Sequence, residues 1–494
     1  MIPFKQIPAG QRAPLFYAEL DASKANTAAQ PQRALLIGQK TAVGSYAPSI
    51  PVVAQSTSDA RAAAGQGSVL AGMVTAYRAS DPDGEMWVLP LADDPAAVAA
   101  TGSITFTGAT TLAQTLSLYI AGRLFSVALA AGQSPAQVAA TVAAAIAAVP
   151  EATVIAVAAA GAINLTAKNA GLVGNDIDIR VNYLGAPGGQ ATPAGLGVVI
   201  VAMAGGAANP SLTAALTNMQ DTSFDFIACS LTDAPSMAAV TALLSDTAPG
   251  RWSYATQIYG HCFIAYRGTA GAAAAYATGL NNQHVSCIGY TDSPTPPWRW
   301  AAALAGAAAS SIRIDPGVPL QYLTLAGVLA PPVASRFSSP IRNNTLLYGG
   351  VTTWTADTNN VVTLENVVTT YVTNAAGQTD DSYLEVETLF LLMAILRRLR
   401  GVVTTKFARV KLAADGTRAM PGARVVTPAI IRAELIAQYR QLEAEGMVQG
   451  SAAFAAALVV EKSATNPNRV DVLLPAVLID QLRVLAMLVQ FRLQ

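Results

Sequence analysis

Short apolar segments alternate with helical ones through much of this chain, and this alternation constrains its fold more than any other feature. From residue 33, RALLIGQ and EMWVLPLA predict strands on either side of a helical segment. The same order resumes near residue 211, where FDFIACSL, HCFIAYRG and HVSCIGY predict strands between helices. Continuously apolar strands separated by helices predict a parallel sheet that is covered on both faces, and therefore an α/β fold.

A different pattern lies between these two halves. Residues 102–203 contain short alternating segments such as SITFTG and DIDIRVNY, interrupted by one alanine-rich helical segment, and they close in segments rich in glycine and proline. We therefore predict a β-rich outer domain, residues 93–205, inserted into a loop of a central parallel-rich α/β domain formed by residues 33–92 and 206–340.

The pattern changes again after residue 340. The segment SYLEVETLFLLMAILRRLRGVVTTKF predicts a long apolar helix with a basic end, and TPAIIRAELIAQYRQLEAEG predicts an amphipathic helix. Three strand-like segments, FAAALVVEKS, NRVDVLLP and LAMLVQFRLQ, follow. We predict an α+β C-terminal domain over residues 341–480. Extended arms then occupy residues 1–32, which include a linker, and residues 481–494, which form an arm strand.

The last residues of the sequence alternate between apolar and polar types. Val489, Phe491 and Leu493 would face one side of a strand, and the polar residues between them the other. Chain ends usually fray unless they are tied down, so this strand needs a partner. The partner is either an edge of its own domain or a sheet of another subunit.

Composition excludes several classes of function. Among 494 residues, 30 lysines and arginines balance 30 aspartates and glutamates, which argues against nucleic acid or an anionic membrane as the main partner. Cys229, Cys262 and Cys287 lie in apolar runs and predict buried free thiols in a reducing compartment. The N-terminal segment lacks an apolar core of signal-peptide length, so we expect a cytosolic protein that is soluble until it assembles.

Motifs for catalysis or cofactor binding are absent from the sequence. It has no G-x-x-x-x-G-K-[ST], no H-x-x-x-H and no C-x-x-C, so we expect no cofactor, metal or catalytic residue. The enzyme alternative is a serine hydrolase on the central domain. It would combine His261 or His284 with Ser286 and an aspartate such as Asp225 or Asp233. Nothing resembles the G-x-S-x-G motif that usually carries such a nucleophile.

A cluster of cations marks the end of the long predicted helix. LRRLRGVVTTKFARVK brings together Arg397, Arg398, Arg400 and Lys406, followed by Arg409 and Lys411. The simpler interpretation is a solvated helix C-terminus, where the helix dipole favours positive charge. The alternative is a docking face for an acidic protein surface.

Three segments resemble one protein family in the right order. The N-terminal IPAGQRAPLFYAELDASKA is similar to the opening R-x-P-x-x-Y-x-E-x-D pattern of the Mu-like branch of contractile phage tail sheath proteins. Leu15-Phe16 stands where that branch often has Gly-Val. The inserted segments ATGSITFTG and NLTAKNAGLVGNDIDIRVNY, and the C-terminal NPNRVDVLLPAVLIDQLRVLAMLVQFRLQ, also resemble this branch.

The resemblance implies a virion structural protein. Such a subunit polymerises around a tail tube through intersubunit strand exchange, and it contracts to drive the tube through the host envelope for genome delivery. The implied partners are other copies of the chain, the tail tube protein, and baseplate and tail terminator proteins, without direct nucleic acid contact or membrane insertion. Assembly in the host bacterial cytoplasm is expected. The family's central domain is sometimes labelled subtilisin-like, which is a fold analogy only.

The resemblance also assigns positions to these roles. The C-terminal domain is expected to face the tube, the inserted domain to face outward, and both arms to add strands to neighbouring subunits. Sheaths of genome-free injection particles and passive receptor-binding proteins remain as alternatives. The N-terminal arm residues are Pro14, Leu15, Phe16, Tyr17, Glu19 and Leu20. The C-terminal arm residues are Leu488, Val489, Phe491, Arg492 and Leu493. The candidate tube-facing cations are Arg397, Arg398, Arg400 and Lys406.

Overall fold

The computed structural model describes residues 32–418, 420 and 422–492. The helices are α1 (Thr57–Ala64), α2 (Val69–Ser80), α3 (Pro135–Ala147), α4 (Thr213–Thr217), α5 (Ala234–Leu243), α6 (Ala270–Leu280), α7 (Pro297–Ile312), α8 (Ser339–Ile341), α9 (Val386–Phe407), α10 (Pro428–Ala444) and α11 (Ser451–Ala457). Among the described residues, none of these helices combines the length and apolarity that a membrane crossing requires.

The strands are β1 (Ala34–Gln39), β2 (Val52–Val53), β3 (Met86–Leu91), β4 (Thr101–Thr107), β5 (Gln114–Ile120), β6 (Arg123–Leu129), β7 (Val154–Ala159), β8 (Ala162–Ala167), β9 (Ile179–Val181), β10 (Gly197–Ala204), β11 (Phe226–Cys229), β12 (His261–Arg267), β13 (Val285–Tyr290), β14 (Val351–Ala356), β15 (Val362–Asn366), β16 (Lys411–Leu412), β17 (Val425–Val426), β18 (Val448–Gln449), β19 (Val459–Lys462), β20 (Val470–Leu473) and β21 (Val477–Leu478).

The largest sheet confirms the predicted mixed α/β architecture. Its eight strands have the order β15-β14-β13-β12-β11-β1-β3-β2. The six strands from β14 to β3 run parallel, and β15 and β2 join the two edges antiparallel. Every residue of β1, β11 and β13 is buried, which explains why their sequences are apolar at successive positions.

Helices α2 and α7 pack closely together against this sheet. The alanine-rich sequence of α7 keeps its side chains small, and most of the helix is buried. At Gly306 of α7, an added Cβ would lie 2.6 Å from the backbone oxygen of Tyr77 in α2. Because that distance is too short for any side chain, the two helices can approach this closely only with glycine at this position.

The inserted segment leaves the sheet after β3 and returns before β11, the two strands that flank β1. It contains a four-stranded antiparallel sheet, β10-β4-β8-β7, and a three-stranded sheet, β6-β5-β9. Between them, α3 begins at a capping box formed by Ser134 and Gln137, with Pro135 as its first residue.

Buried polar contacts fix this insert on the central domain. The Asn169 amide donates to the Lys40 carbonyl at 2.9 Å, and its side-chain oxygen accepts from the Val69 N–H at 3.0 Å. The buried Gln39 amide donates to Asp93 at 2.7 Å and to the Ala170 carbonyl at 2.6 Å. The insert is therefore tied to the body through paired polar groups.

Helix α9 connects the central sheet to the C-terminal part of the chain. Phe390 lies in the main core, where its ring stacks on Phe226 of β11 at a centroid distance of 5.0 Å. One turn further on, Ile395 belongs to a second core with Leu435 and Tyr439 of α10. The sheet itself continues through β14 and β15 to Asn366, past the predicted boundary at residue 340.

A buried ion pair adds to this connection. The carboxylate of Asp225, which is fully buried, accepts a hydrogen bond from Arg397 Nη2 of α9 at 2.5 Å. Arg397 also donates to the Ile258 carbonyl at 3.2 Å. Burial raises the pKa of Asp225, and the guanidinium only partly offsets that rise. The carboxylate therefore depends on Arg397 to remain charged.

We predict that Arg397→Met destabilises the fold by about 3–5 kcal/mol, because it leaves a buried carboxylate without its cation. The pKa of Asp225 should then rise further, so the folded state holds a proton that the unfolded state releases. The loss of stability should therefore be larger at about pH 8 than at about pH 5. Urea unfolding followed by circular dichroism at both pH values measures the difference.

Arg398→Met is the matched control, since Arg398 is the next residue of α9 and its ion pair with Glu445 is partly exposed. It should cost about 1 kcal/mol or less at either pH. Equal losses from the two variants would contradict a special role of the buried pair.

Candidate assembly surfaces

Many exposed apolar side chains follow one another in the C-terminal segment of the described chain. After β21, residues 479–492 carry no helix or strand. Seven of their side chains are apolar and between 71% and 85% exposed, namely Leu482, Val484, Leu485, Met487, Leu488, Val489 and Phe491. Arg492 is also exposed, and Leu493 lies outside the described residues.

The strand predicted for this segment is not formed in the isolated chain. A strand requires a neighbour for its N–H and C=O groups, and within the described residues no backbone hydrogen bond joins Val484–Arg492 to another element. The alternative of an edge strand paired within its own domain is therefore not what the structure contains.

The C-terminal segment is anchored to the rest of the subunit at its root, Arg483. The Arg483 guanidinium pairs with Glu387 at 2.9 Å and with Glu385 at 3.0 Å, at the start of α9. Glu387 is fully buried and also accepts from the Leu320 N–H at 2.7 Å. Burial raises the pKa of both carboxyls, and Arg483 opposes the rise. The chain is thus held to the body as far as residue 483 and extends into solvent beyond it.

A small antiparallel ribbon, β19 and β20, lies in the same C-terminal part. Its two strands pair only with each other among the described residues, and Val459, Val472 and Leu473 expose apolar side chains. The NPNRV segment forms the turn of this ribbon, with Arg469 N–H donating to the Asn466 carbonyl at 3.1 Å.

The candidate tube-facing cations differ in what they contact. Arg397 is committed to the buried Asp225, so its assignment to a docking surface is corrected. Arg398 pairs with Glu445 at 2.9 Å, and Lys406 pairs with Glu434 at 2.6 Å. Arg400 is exposed and, within the described part of the chain, donates to the backbone carbonyl of Gln257 at 3.3 Å.

The exposed basic segment is longer than we expected. Between residues 400 and 424 the sequence has six basic residues and one acidic residue, Asp415. All six basic side chains are exposed, namely Arg400, Lys406, Arg409, Lys411, Arg418 and Arg424. Arg418 and Arg424 lie in the connection between β16 and β17. The high density of basic residues in a chain of zero net charge is the sequence signal that identifies Arg418 and Arg424 as part of this segment.

The residues of the hydrolase alternative do not form a working site. His261 Nε2 and Ser286 Oγ lie 2.9 Å apart, but both side chains are fully buried in the sheet. Among the described residues no carboxylate binds His261 Nδ1: Asp225 pairs with Arg397, and Asp233 caps α5. Burial holds the pKa of His261 well below its ordinary value, so the imidazole is neutral.

His284 and the thiols also have structural environments. His284 contacts Asp246 at 2.9 Å and stacks on Trp252. The three cysteines are buried and free, and burial raises their pKa values. Within the described ranges, no cluster of three or more histidine, cysteine or carboxylate side chains could hold a metal ion.

The N-terminal candidates lie outside the described residues. They are Pro14, Leu15, Phe16, Tyr17, Glu19 and Leu20. Their assignment to an intersubunit arm stays a prediction.

Comparisons with known proteins identify the family of this chain. The family model of the phage tail sheath protein central domain matches residues 205–370, and that of the phage tail sheath C-terminal domain matches residues 378–492. The Mu-like prophage FluMu tail sheath protein of Haemophilus influenzae is 38% identical over 492 residues, or 99% of either chain.

Two solved structures are similar to this chain at low sequence identity. A chain of the anti-feeding prophage baseplate in its contracted state has a TM-score of 0.51 and 12% identity, with 98% of this chain and 100% of that chain covered. The sheath tail protein of Desulfitobacterium hafniense has a TM-score of 0.48 and 13% identity, with 96% and 97% covered. With the sequence matches along its full length, this chain belongs to the phage tail sheath family, whose members are structural proteins and not enzymes.

Proposed function

We propose that this protein is the repeating subunit of a contractile sheath, which polymerises around a tail tube by exchanging strands between subunits. Its contraction drives the tube through the host envelope for genome delivery. The observation that carries the proposal is the C-terminal segment beyond Arg483, which is apolar, exposed and without a strand partner among the described residues. Strand addition to a neighbour supplies both missing components, backbone partners and apolar pockets.

The strength of one such joint is modest. Burying Val489, Phe491 and Leu493 contributes roughly 5–9 kcal/mol. About eight ordered residues cost roughly 8–16 kcal/mol, and each backbone hydrogen bond returns only about 1 kcal/mol. One docked arm is therefore close to neutral, and a lattice is held by the number of its joints. Subunits with marginal joints therefore polymerise at high concentration, or at lower concentration on a template such as a tube or baseplate.

The β19–β20 ribbon is the acceptor that we favour in the neighbouring subunit. A two-stranded ribbon is marginally stable by itself, and added strands would complete it to a small sheet. Val459 and Leu473, which pair across the ribbon and are exposed, offer apolar contacts on one face to an incoming strand that carries Val489 and Phe491 on one side.

The root at Arg483 suggests where the sheath bends during contraction. The buried pairs with Glu385 and Glu387 hold the chain to α9, so the hinge lies at the residues that follow, from Val484 onward. The ion pair of Asp225 and Arg397 joins α9 to the central sheet. Subunit bodies would then rotate as units while the strand joints stay paired.

The exposed basic segment supports contact with an acidic tube surface. Arg400 and Lys406 lie on the outer part of α9, and the four further cations up to Arg424 extend the same charge. Opposite charge accelerates encounter and orients the partners, and salt weakens it. Baseplate and tail terminator proteins are the remaining partners in this proposal, in a virion tail assembled in the host cytoplasm.

We predict that exchanging the apolar side of the arm for serine, in Val489→Ser/Phe491→Ser, abolishes tubule formation. The thermal stability of the monomer should not change, because both side chains are exposed in the isolated subunit. Removal of residues 488–494 should have the same effect. Electron microscopy of the purified protein measures tubules, and a melting curve checks the fold.

The matched control is Gln490→Ser, which alters an alternate polar position of the same segment and should still give tubules. Regular tubules from the truncated chain would show that the arm is not the joint.

We predict that Arg400→Gln/Lys406→Gln forms tubules that bind the cognate tube less often than the parent does. In the parent, raising salt from about 0.1 M to about 1 M should have the same effect, since the screening length falls from about 10 Å to about 3 Å. The fraction of tubules with an occupied lumen is counted in electron micrographs. Arg469→Gln, a change at an exposed arginine of the β19–β20 turn, serves as the control; equal occupancy in all variants would argue against the basic segment.

A further inference from the structure

The four-stranded sheet of the insert, β10-β4-β8-β7, has two open edges of the same unusual composition. β7 has the sequence VIAVAA and β10 has GVVIVAMA, so neither contains a charged residue or a proline. Soluble proteins normally guard edge strands with lysine, proline or a bulge. Here the only such device is a register shift between Val201 and Ala204, which leaves the run Gly197–Val201 regular.

Both edges also expose apolar side chains on one face of the sheet. Ile155 and Val157 of β7, and Val199 and Val201 of β10, are between 54% and 58% exposed. The register places Val201 beside Ser103, Ser103 beside Asn164, and Asn164 beside Val157. The outer face is therefore polar but uncharged in its middle and apolar at its two margins.

The strand directions make the two edges complementary to each other. Each neighbouring pair in this sheet is antiparallel, and the number of strands is even, so β10 and β7 run in opposite directions. A second copy displaced sideways would bring its β7 antiparallel to β10 of the first copy. The outer faces would remain on the same side, with Val199 and Val201 next to the second copy's apolar margin.

We propose that the insert of one subunit pairs edge to edge with the insert of the next, β10 against β7, in a second joint separate from the arms. The contact is head to tail, and repetition of such a contact builds rings or helices. The inference rests on the proposed sheath function, because only a polymer brings many copies into the same orientation. In this proposal the insert contributes contacts between subunits of the lattice and is not only an outward-facing domain.

Cysteine cross-linking in assembled tubules tests the joint. Val199→Cys/Val157→Cys places one thiol on each edge, and the native cysteines are buried and do not compete. A thiol-to-thiol cross-linker that spans about 7–8 Å covers directly opposite and diagonal positions. We expect a ladder of dimers, trimers and larger species on a denaturing gel, and no ladder from either single variant.

Added charge provides the matched control. Val201→Lys in the double-cysteine background should remove the ladder, whereas Leu112→Lys, at an exposed apolar residue of the insert outside both edges, should leave it. Regular tubules without a ladder would overturn this joint and leave the sheath function standing. Failure of the parent protein to form tubules under any condition would overturn the sheath function, and this inference with it.

Discussion

The central parallel sheet has to be covered on both faces, and the positions of the other parts follow from that requirement. Its strands are apolar at successive residues, so any face left open would expose valine, isoleucine and phenylalanine side chains to water. Helices α2 and α7 pack tightly enough to exclude all but glycine at residue 306. Helix α9 adds Phe390 to the same core, and this ties the C-terminal part to the sheet.

The assembly surfaces contrast with that core. Inside the body, hydrogen bonds and ion pairs join its parts, as Asn169 does between the insert and the central domain and Asp225 does with Arg397 of α9. Where the chain is open, it is apolar and lacks strand partners among the described residues, as in the C-terminal segment and the edges of the insert. Because the family builds polymeric sheaths, we interpret these open places as surfaces that other subunits complete.

Sequence patterns predicted the elements that depend on local spacing. The buried strands β1, β11, β12 and β13, the inserted β-rich region and helices α7, α9 and α10 all follow from apolar periodicity. The C-terminal segment shows what periodicity cannot provide: Val489 and Phe491 alternate like a strand, but pairing depends on a partner that the single chain does not supply. Likewise, no pattern shows that Arg397 pairs with a buried aspartate 172 residues earlier while Arg398 pairs with the partly exposed Glu445.

Helix α9 has a geometric consequence for any motion of the subunit. Its 22 residues span about 33 Å. If the sheet rotates by about 10° around the start of the helix, the far end is displaced by roughly 6 Å, which exceeds the spacing of about 4.8 Å between neighbouring strands. Such a rotation would move the basic residues at the far end of α9 much further than the C-terminal segment, whose root at Arg483 lies beside the start of the helix.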